Sequence, residues 1–294
     1  MTKNNNKKIK DRKYYRQKTE VLLLVASVIF SLAIYLLLSY LGYKAVTDKR
    51  EQMFLVSFFE GDMDIVDFIL TTGGYISIII LVIIIFDMIF EFLKTHNRAF
   101  AIDIHVSEKQ FPELLEYEKE YAKKLGIKSL PYIYVSSEEE MLNTYSFYFD
   151  DKNIVRVSSV DAFISKPMGN FTGKFAVAKK LANIYMGYCN YFLFILTIFS
   201  NWIPIFKHLR NRVTNYTSDK IAAELIGKEN AMKAIMMFEV NQYALPHINI
   251  EEYMKNAKMV ARAKEMVFAN VLRDMPIPAY RIEAIMDERD GRLF

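Results

Sequence analysis

The chain has 294 residues, of which 52% are hydrophobic and 24% charged, with a formal net charge of +4. That apolar share exceeds the level of an ordinary soluble domain, and the length suits a membrane anchor plus one sizeable domain. A single cysteine, Cys189, excludes an internal disulfide framework and argues against a Cys-based zinc site. Its apolar surroundings predict a buried, inert thiol.

The positive charge is concentrated at the start. Lys3, Lys7, Lys8, Lys10, Arg12, Lys13, Arg16 and Lys18 stand against one acid, Asp11. A basic tail can bind nucleic acid, but here an apolar run follows at once. Residues 1–20 therefore read as a topology signal, or as a contact for anionic lipid, and no nucleic-acid partner is expected. Val21 to Tyr43 carries no charge over 23 positions, enough to cross a bilayer as a helix. It is too long for a signal-peptide core, and Leu41-Gly42-Tyr43-Lys44 is a poor cleavage site. A second apolar run covers about 70–93, with Gly73-Gly74 as a loose helix start and Asp87 and Glu91 near its exit. Residues 21–98 thus predict an anchor of two transmembrane helices. The connection, 44–68, holds Glu60, Asp62, Asp64 and Asp67 but only three basic residues. The basic side is the cytoplasmic side, so the N-terminus and everything after about 94 are expected in the cytoplasm. Lys-, Asn- and Ile-rich usage points to an AT-rich bacterial genome, hence a multi-pass protein of the bacterial cytoplasmic membrane.

Residues 99–294 read as one domain. Phe111–Leu125 has helical spacing, with Gly126 as its stop. Tyr132–Ser136 and Ile154–Ser158 are β-rich, and Asp150–Asn153 reads as a turn. Phe175–Gly187 and Val213–Ile226 are candidate helices. Glu251 to about Arg273 is a long helical stretch, broken by Pro276 and Pro278, and Tyr280–Asp287 adds a last turn or two. A third apolar run, Tyr188–Phe206, is interrupted by Asn190, Ser200, Asn201 and Pro204. A single crossing there would part residue 183 from residue 215, so a re-entrant hairpin, an interfacial segment or a buried one is expected instead. The glycosylation pattern at Asn170-Phe171-Thr172 is discounted on the cytoplasmic side.

Ile104–Leu114 and Tyr121–Ile127 look like the opening helix of the M48 family of zinc metallopeptidases, and Leu130–Val135 like the strand that follows. Leu142-Asn143-Thr144-Tyr145-Ser146 stands where that family has an Asn-Ala-Phe element. Phe175–Tyr188 is similar to the helix that carries H-E-x-x-H, Arg212–Ala223 to the helix with the third ligand, and Met275–Ile282 to a later family segment. The resemblance spans about 101–294. It implies an α+β, predominantly helical fold: two N-terminal transmembrane helices and a zincin-like domain.

It also implies where the chemistry should be. Two histidines one helical turn apart bind zinc, and the glutamate between them is the general base. The first His position is Lys179, the Glu position Lys180, and the second His position Asn183. The third ligand, a glutamate in the family, is Asn215, and the family's following aspartate is retained as Asp219. Protonated lysine is a poor zinc ligand, and neutral Asn is a weak oxygen donor. No metal ligand, cofactor or catalytic residue is therefore expected. His96, His105, His208 and His247 are scattered and do not rebuild a site. Two placements are open for Lys179: pairing with Asp219, or extending to solvent with Lys180. The expected function is that of a pseudopeptidase, binding a protein or peptide partner or regulating an active M48 paralogue. The alternatives are an active zinc-dependent metalloendopeptidase with an atypical site, and a structural or immunity-type membrane protein.

Overall fold

The computed structural model describes residues 9–47, 65–137, 153–240, 243–261 and 272–293. The expected acidic connection (its 48–64 portion), the 142–146 element, residues 150–152 of the turn and residues 262–271 of the long helical stretch lie outside these.

The basic segment ends in a short helix, α1 (Arg12–Tyr15). It is not set apart from the domain. Tyr15 is buried in the main core and donates from its hydroxyl to Glu224 Oε2 at 2.6 Å. Helix α2 (Glu20–Thr47) holds the first apolar run. Its window Glu20–Lys44 has a mean hydropathy of 2.9, and it alone among the described residues is long and apolar enough to cross a membrane. Leu22, Val25, Ile29, Leu36 and Tyr40 are exposed on it. A core helix of a soluble protein would bury such side chains.

Helix α3 (Ile65–Ala101) is longer than the predicted second run. Gly73 and Gly74 lie inside it rather than at its start, and its strongly apolar part is only Thr72–Asp87. The glycines are tolerated because packing against α2, not local propensity, holds the helix. A Cβ on Gly42 would lie 3.1 Å from Ile78 Cγ1 and 3.3 Å from Ser77 Oγ, so α2 and α3 approach closely there. Farther along, Ile84 shares a cluster with Phe30, Ile34 and Leu38. This order of contacts makes the two helices antiparallel.

Three strands follow from the segments after the anchor. β1 (Ile104–His105) pairs antiparallel with β2 (Tyr132–Ser136), which runs parallel to β3 (Ile154–Ser158). The two longer strands are those the β-branched runs predict. Residues 104–111 correct the expectation of an opening helix: they form β1 and a Ser107–Gln110 bridge, and α4 (Pro112–Leu125) starts only afterwards. Proline has no N–H to donate and disfavours a helical residue before it. Phe111, just before it, stands outside the right-handed helical region at φ 59°. A short helix, α5 (Ser159–Phe163), follows β3 directly.

Helix α6 (Phe171–Met186) is the hub of the domain. It begins four residues earlier than its apolar spacing predicts and is buried along most of its length. Asn170, just before it, is buried, which leaves its amide unsuited to glycosylation. The third apolar run is no continuous span. It breaks into α7 (Tyr191–Leu196), α8 (Ile198–Trp202) and the start of α9 (Pro204–Ile226). Asn190 caps α7 by accepting from Phe192 N at 2.8 Å, and Pro204 stands at the N-terminus of α9. Helices α7 and α8 lean on α2: Tyr35 Oη donates to the Ile195 carbonyl, and Ser200 N donates to Ser31 Oγ.

The chain closes with α10 (Lys228–Glu239), α11 (Ile250–Ala261) and α12 (Pro278–Met286). Sequence spacing does not single out α10. The tail after α12 folds back, and Gly291 N donates to Gln17 Oε1 at 2.7 Å. A Cβ on Gly291 would land in the Tyr216 ring. Cys189 is half-buried rather than fully buried.

Candidate functional site

Residues four apart share one face of a helix. On α6 that face presents Lys179 and Asn183, and on α9 it presents Asn215 and Asp219. The two faces meet. Lys179 Nζ lies 2.8 Å from Asp219 Oδ1, so of the two placements the lysine takes the pairing. One turn along, the Asn183 amide oxygen accepts from the Ser218 hydroxyl. Asn215 turns along its own helix, donating from Nδ2 to the Asn211 carbonyl at 2.8 Å.

A residue that sequence reasoning left out completes the arrangement. Arg281 of α12 grips Asp219 as a fork, Nε to Oδ2 at 2.7 Å and Nη2 to Oδ1 at 3.0 Å. Pro278 at the first turn of α12 sets that helix running from its extended leader, which delivers Arg281 one turn in. The only signal for it was its place in the Met275–Ile282 segment. Arg281 is 2% exposed and Asp219 1%, so the fork between them is buried.

Lys180 points elsewhere. It lines a small cleft with Lys179, Arg281, Ser158 and Asp161, walled by Phe175, Phe238 and Met275. Its volume of about 20 Å³ is on the order of a single water. Both lysines are 8% exposed.

Burial dominates the electrostatics. It lowers Lys180 to about 8, opposed by Cys189 and Asp161. Burial likewise lowers Lys179 to about 8, with Arg281 adding to the push and Asp219 resisting it. For Asp219, burial alone would favour the neutral acid. Arg281 and Lys179 outweigh it and hold the carboxyl below its ordinary value. Arg281 is raised above its ordinary value, because Asp219 outweighs the cost of burial.

Zinc, which the resemblance would imply, does not fit this donor set. Ammonium groups have no lone pair to give, amides are weak donors for it, and two buried cations repel a dication. Among the described residues, no three His, Cys, Asp or Glu side chains gather where they could hold a metal. His208 is engaged with Asp274 at 3.0 Å, and His105 lies against Tyr134.

Protein-family models, curated proteins and solved structures give no match to this chain.

The lysine burial has a measurable sign. A lysine with a folded pKa near 8 and an ordinary value of 10.5 binds fewer protons folded than unfolded between those limits. Stability then rises with pH across that window. At neutral pH, Lys180 is charged in both states and its full burial cost is present, on the order of 1–3 kcal/mol. Lys180→Met is expected to be more stable than the parent at pH 7 in low salt. The gain should shrink as pH climbs from about 8 to 10.5. Denaturation of both proteins across that range checks this, and a variant that is less stable at every pH contradicts it.

Proposed function

We propose that this protein is a membrane-anchored, catalytically inactive relative of the M48 metallopeptidases that holds a protein or peptide partner without cutting it. The observation carrying the reading is the crossing of α6 and α9. Lys179 faces Asp219, and Asn183 faces Ser218 one turn on. In this reading the crossing is what remains of a metal site whose donors are replaced, with Asn215 now turned to its own helix. Without a metal to acidify water and without a carboxylate at 180, peptide hydrolysis lacks both its electrophile and its base.

Among the described residues β3 has one strand neighbour, β2, and its own residues are buried, so the surface that meets the partner in this reading is not the β3 edge. In this reading α2 and α3 both cross the bilayer. Glu20, at the start of α2, accepts from Tyr188 and Thr217 of the domain, and α3 leads into β1. Both ends of the hairpin therefore meet the domain on one side, which the basic leader makes the cytoplasmic side. Helices α7 and α8 and the start of α9 lie beside α2 in this reading, with Phe192, Trp202 and Ile205 exposed as interfacial anchors.

Elemental analysis and proteolysis assays on the detergent-purified full chain test the reading. The expected result is substoichiometric zinc and no chelator-sensitive cleavage. About one zinc per chain with cleavage that a chelator abolishes would overturn it. A stoichiometric protease co-purifying with the chain favours the regulatory form of the reading over an immunity-type role.

A further inference from the structure

The tail after α12 is held chiefly by its main chain. Gly291 N donates to Gln17 Oε1 at 2.7 Å, and the Tyr216 hydroxyl donates to the Arg292 carbonyl at 2.8 Å. Arg212, one helical turn before Tyr216 on α9, donates from Nη1 to the Leu293 carbonyl. Two further bonds, from Nε and Nη2 to the Arg273 carbonyl, fix that guanidinium in place. Gln17, Arg212 and Tyr216 are buried, whereas residues 290–293 above them are half-buried and 286–289 are exposed. The tail is an outer layer on a built polar floor. Its side chains add less: Arg292 lies over the Tyr280 ring, and Lys220 reaches Asp290 at 3.7 Å. Glycine is required where the tail crosses Tyr216, because a Cβ on Gly291 would land in that ring. A separate observation comes from Gln17. Its Nε2 is buried and has no hydrogen-bond partner among the described residues. The tail uses the oxygen of this amide and leaves the donor unmet, a desolvation cost that a better-matched segment would remove.

We propose that this groove, floored by Arg212, Tyr216 and Tyr280 and edged by Gln17, is where the peptide partner binds, with the tail as its resident occupant. The inference rests on the reading of a chain that holds a peptide without cutting it. The ligand is an extended segment in which an acid, a glycine, a cation and an apolar residue follow one another, as Asp290-Gly291-Arg292-Leu293 do. Main-chain hydrogen bonds supply the hold. The Tyr216 ring selects the glycine, and the Tyr280 ring selects the cation after it.

Gly291→Val in the full chain should eject the tail. A fluorescent peptide with the sequence of residues 287–293 is then titrated against parent and variant in detergent. The tethered tail competes at roughly millimolar effective concentration, so the variant should bind at least about tenfold more tightly than the parent. The same peptide with valine for its glycine should not bind. Equal affinity for both chains, equal affinity for both peptides, or a folded variant that ignores the peptide overturns the site. Hydrogen exchange of the parent gives a readout that needs no variant. Amides of 290–293 should exchange faster than those of α6, and excess peptide should speed them several-fold further while leaving α6 unchanged. Exchange that tracks α6, or that ignores the peptide, refutes the site. A chain free of zinc that binds no peptide loses this site alone, whereas a chain that cleaves the bound peptide loses the inactive reading and keeps the groove.

Discussion

Replacing Asp219 by Asn should be the most damaging single polar substitution in the domain. The carboxylate faces two buried cations, Lys179 at 2.8 Å and Arg281 through a two-point fork. Removing one partner of a buried ion pair costs about 3–5 kcal/mol, because the remaining charge stays buried without compensation. Here two charges would be stranded. Against a typical total of about 5–15 kcal/mol, that loss is severe. The melting temperature should fall by roughly 10 °C. Lys179→Met should be far milder, since it leaves the Arg281–Asp219 fork intact and removes a burial cost. The combined change Lys179→Met, Asp219→Leu and Arg281→Met should recover most of the loss, because no charge is left unpaired. Denaturant titration of the three variants measures the order. If Asp219→Asn unfolds within about 1 kcal/mol of the parent, the triad is not what holds α6, α9 and α12 together.

The second large effect is a gain. The fourfold change Lys179→His, Lys180→Glu, Asn183→His and Asn215→Glu supplies two imidazoles, a carboxylate ligand and a general base. The crossing of α6 and α9 already places 179 against 219 and 183 against 218. With Asp219 available to accept from the first imidazole, the new ligands would have an orienting partner. The variant is expected to retain about one zinc per chain after dialysis, where the parent retains none. Loss of the buried lysines removes a repulsion of several kcal/mol against a dication. Metal content is the primary readout, and proteolysis a further one. A folded variant that stays free of zinc would show that the two helices do not hold the geometry a metal needs.

What the sequence revealed and what it hid follow from the range of the interactions concerned. β2 and β3 were legible because β-branched runs bounded by turn residues are local signals. The frame of α6 was legible from its apolar spacing, and the Lys179–Asp219 contact was one of two placements that the resemblance left open. Arg281 was not legible, because it meets Asp219 across 62 positions and nothing local marks an arginine as buried. The start of α9 at Pro204 was hidden by Lys207, His208 and Arg210, which interrupt the apolar pattern although the helix continues through them. Residues 104–111 were misread as helical because the resemblance outweighed Pro112, whose local geometry decided the outcome. Tyr15 looked like part of a charged leader. It is core because its ring and hydroxyl find partners 209 positions away.

The junction of α2 with the domain ties the first apolar helix mechanically to the cleft. Glu20 is 4% exposed at the first turn of α2, and Thr217, which donates to it at 2.9 Å, stands two residues from Asp219 on α9. No slack linker separates the lever from its load. If α2 crosses a bilayer as proposed, a thinner or stretched bilayer that tilts it would pull on the helix bearing the ion triad through one hydrogen bond and half a helical turn.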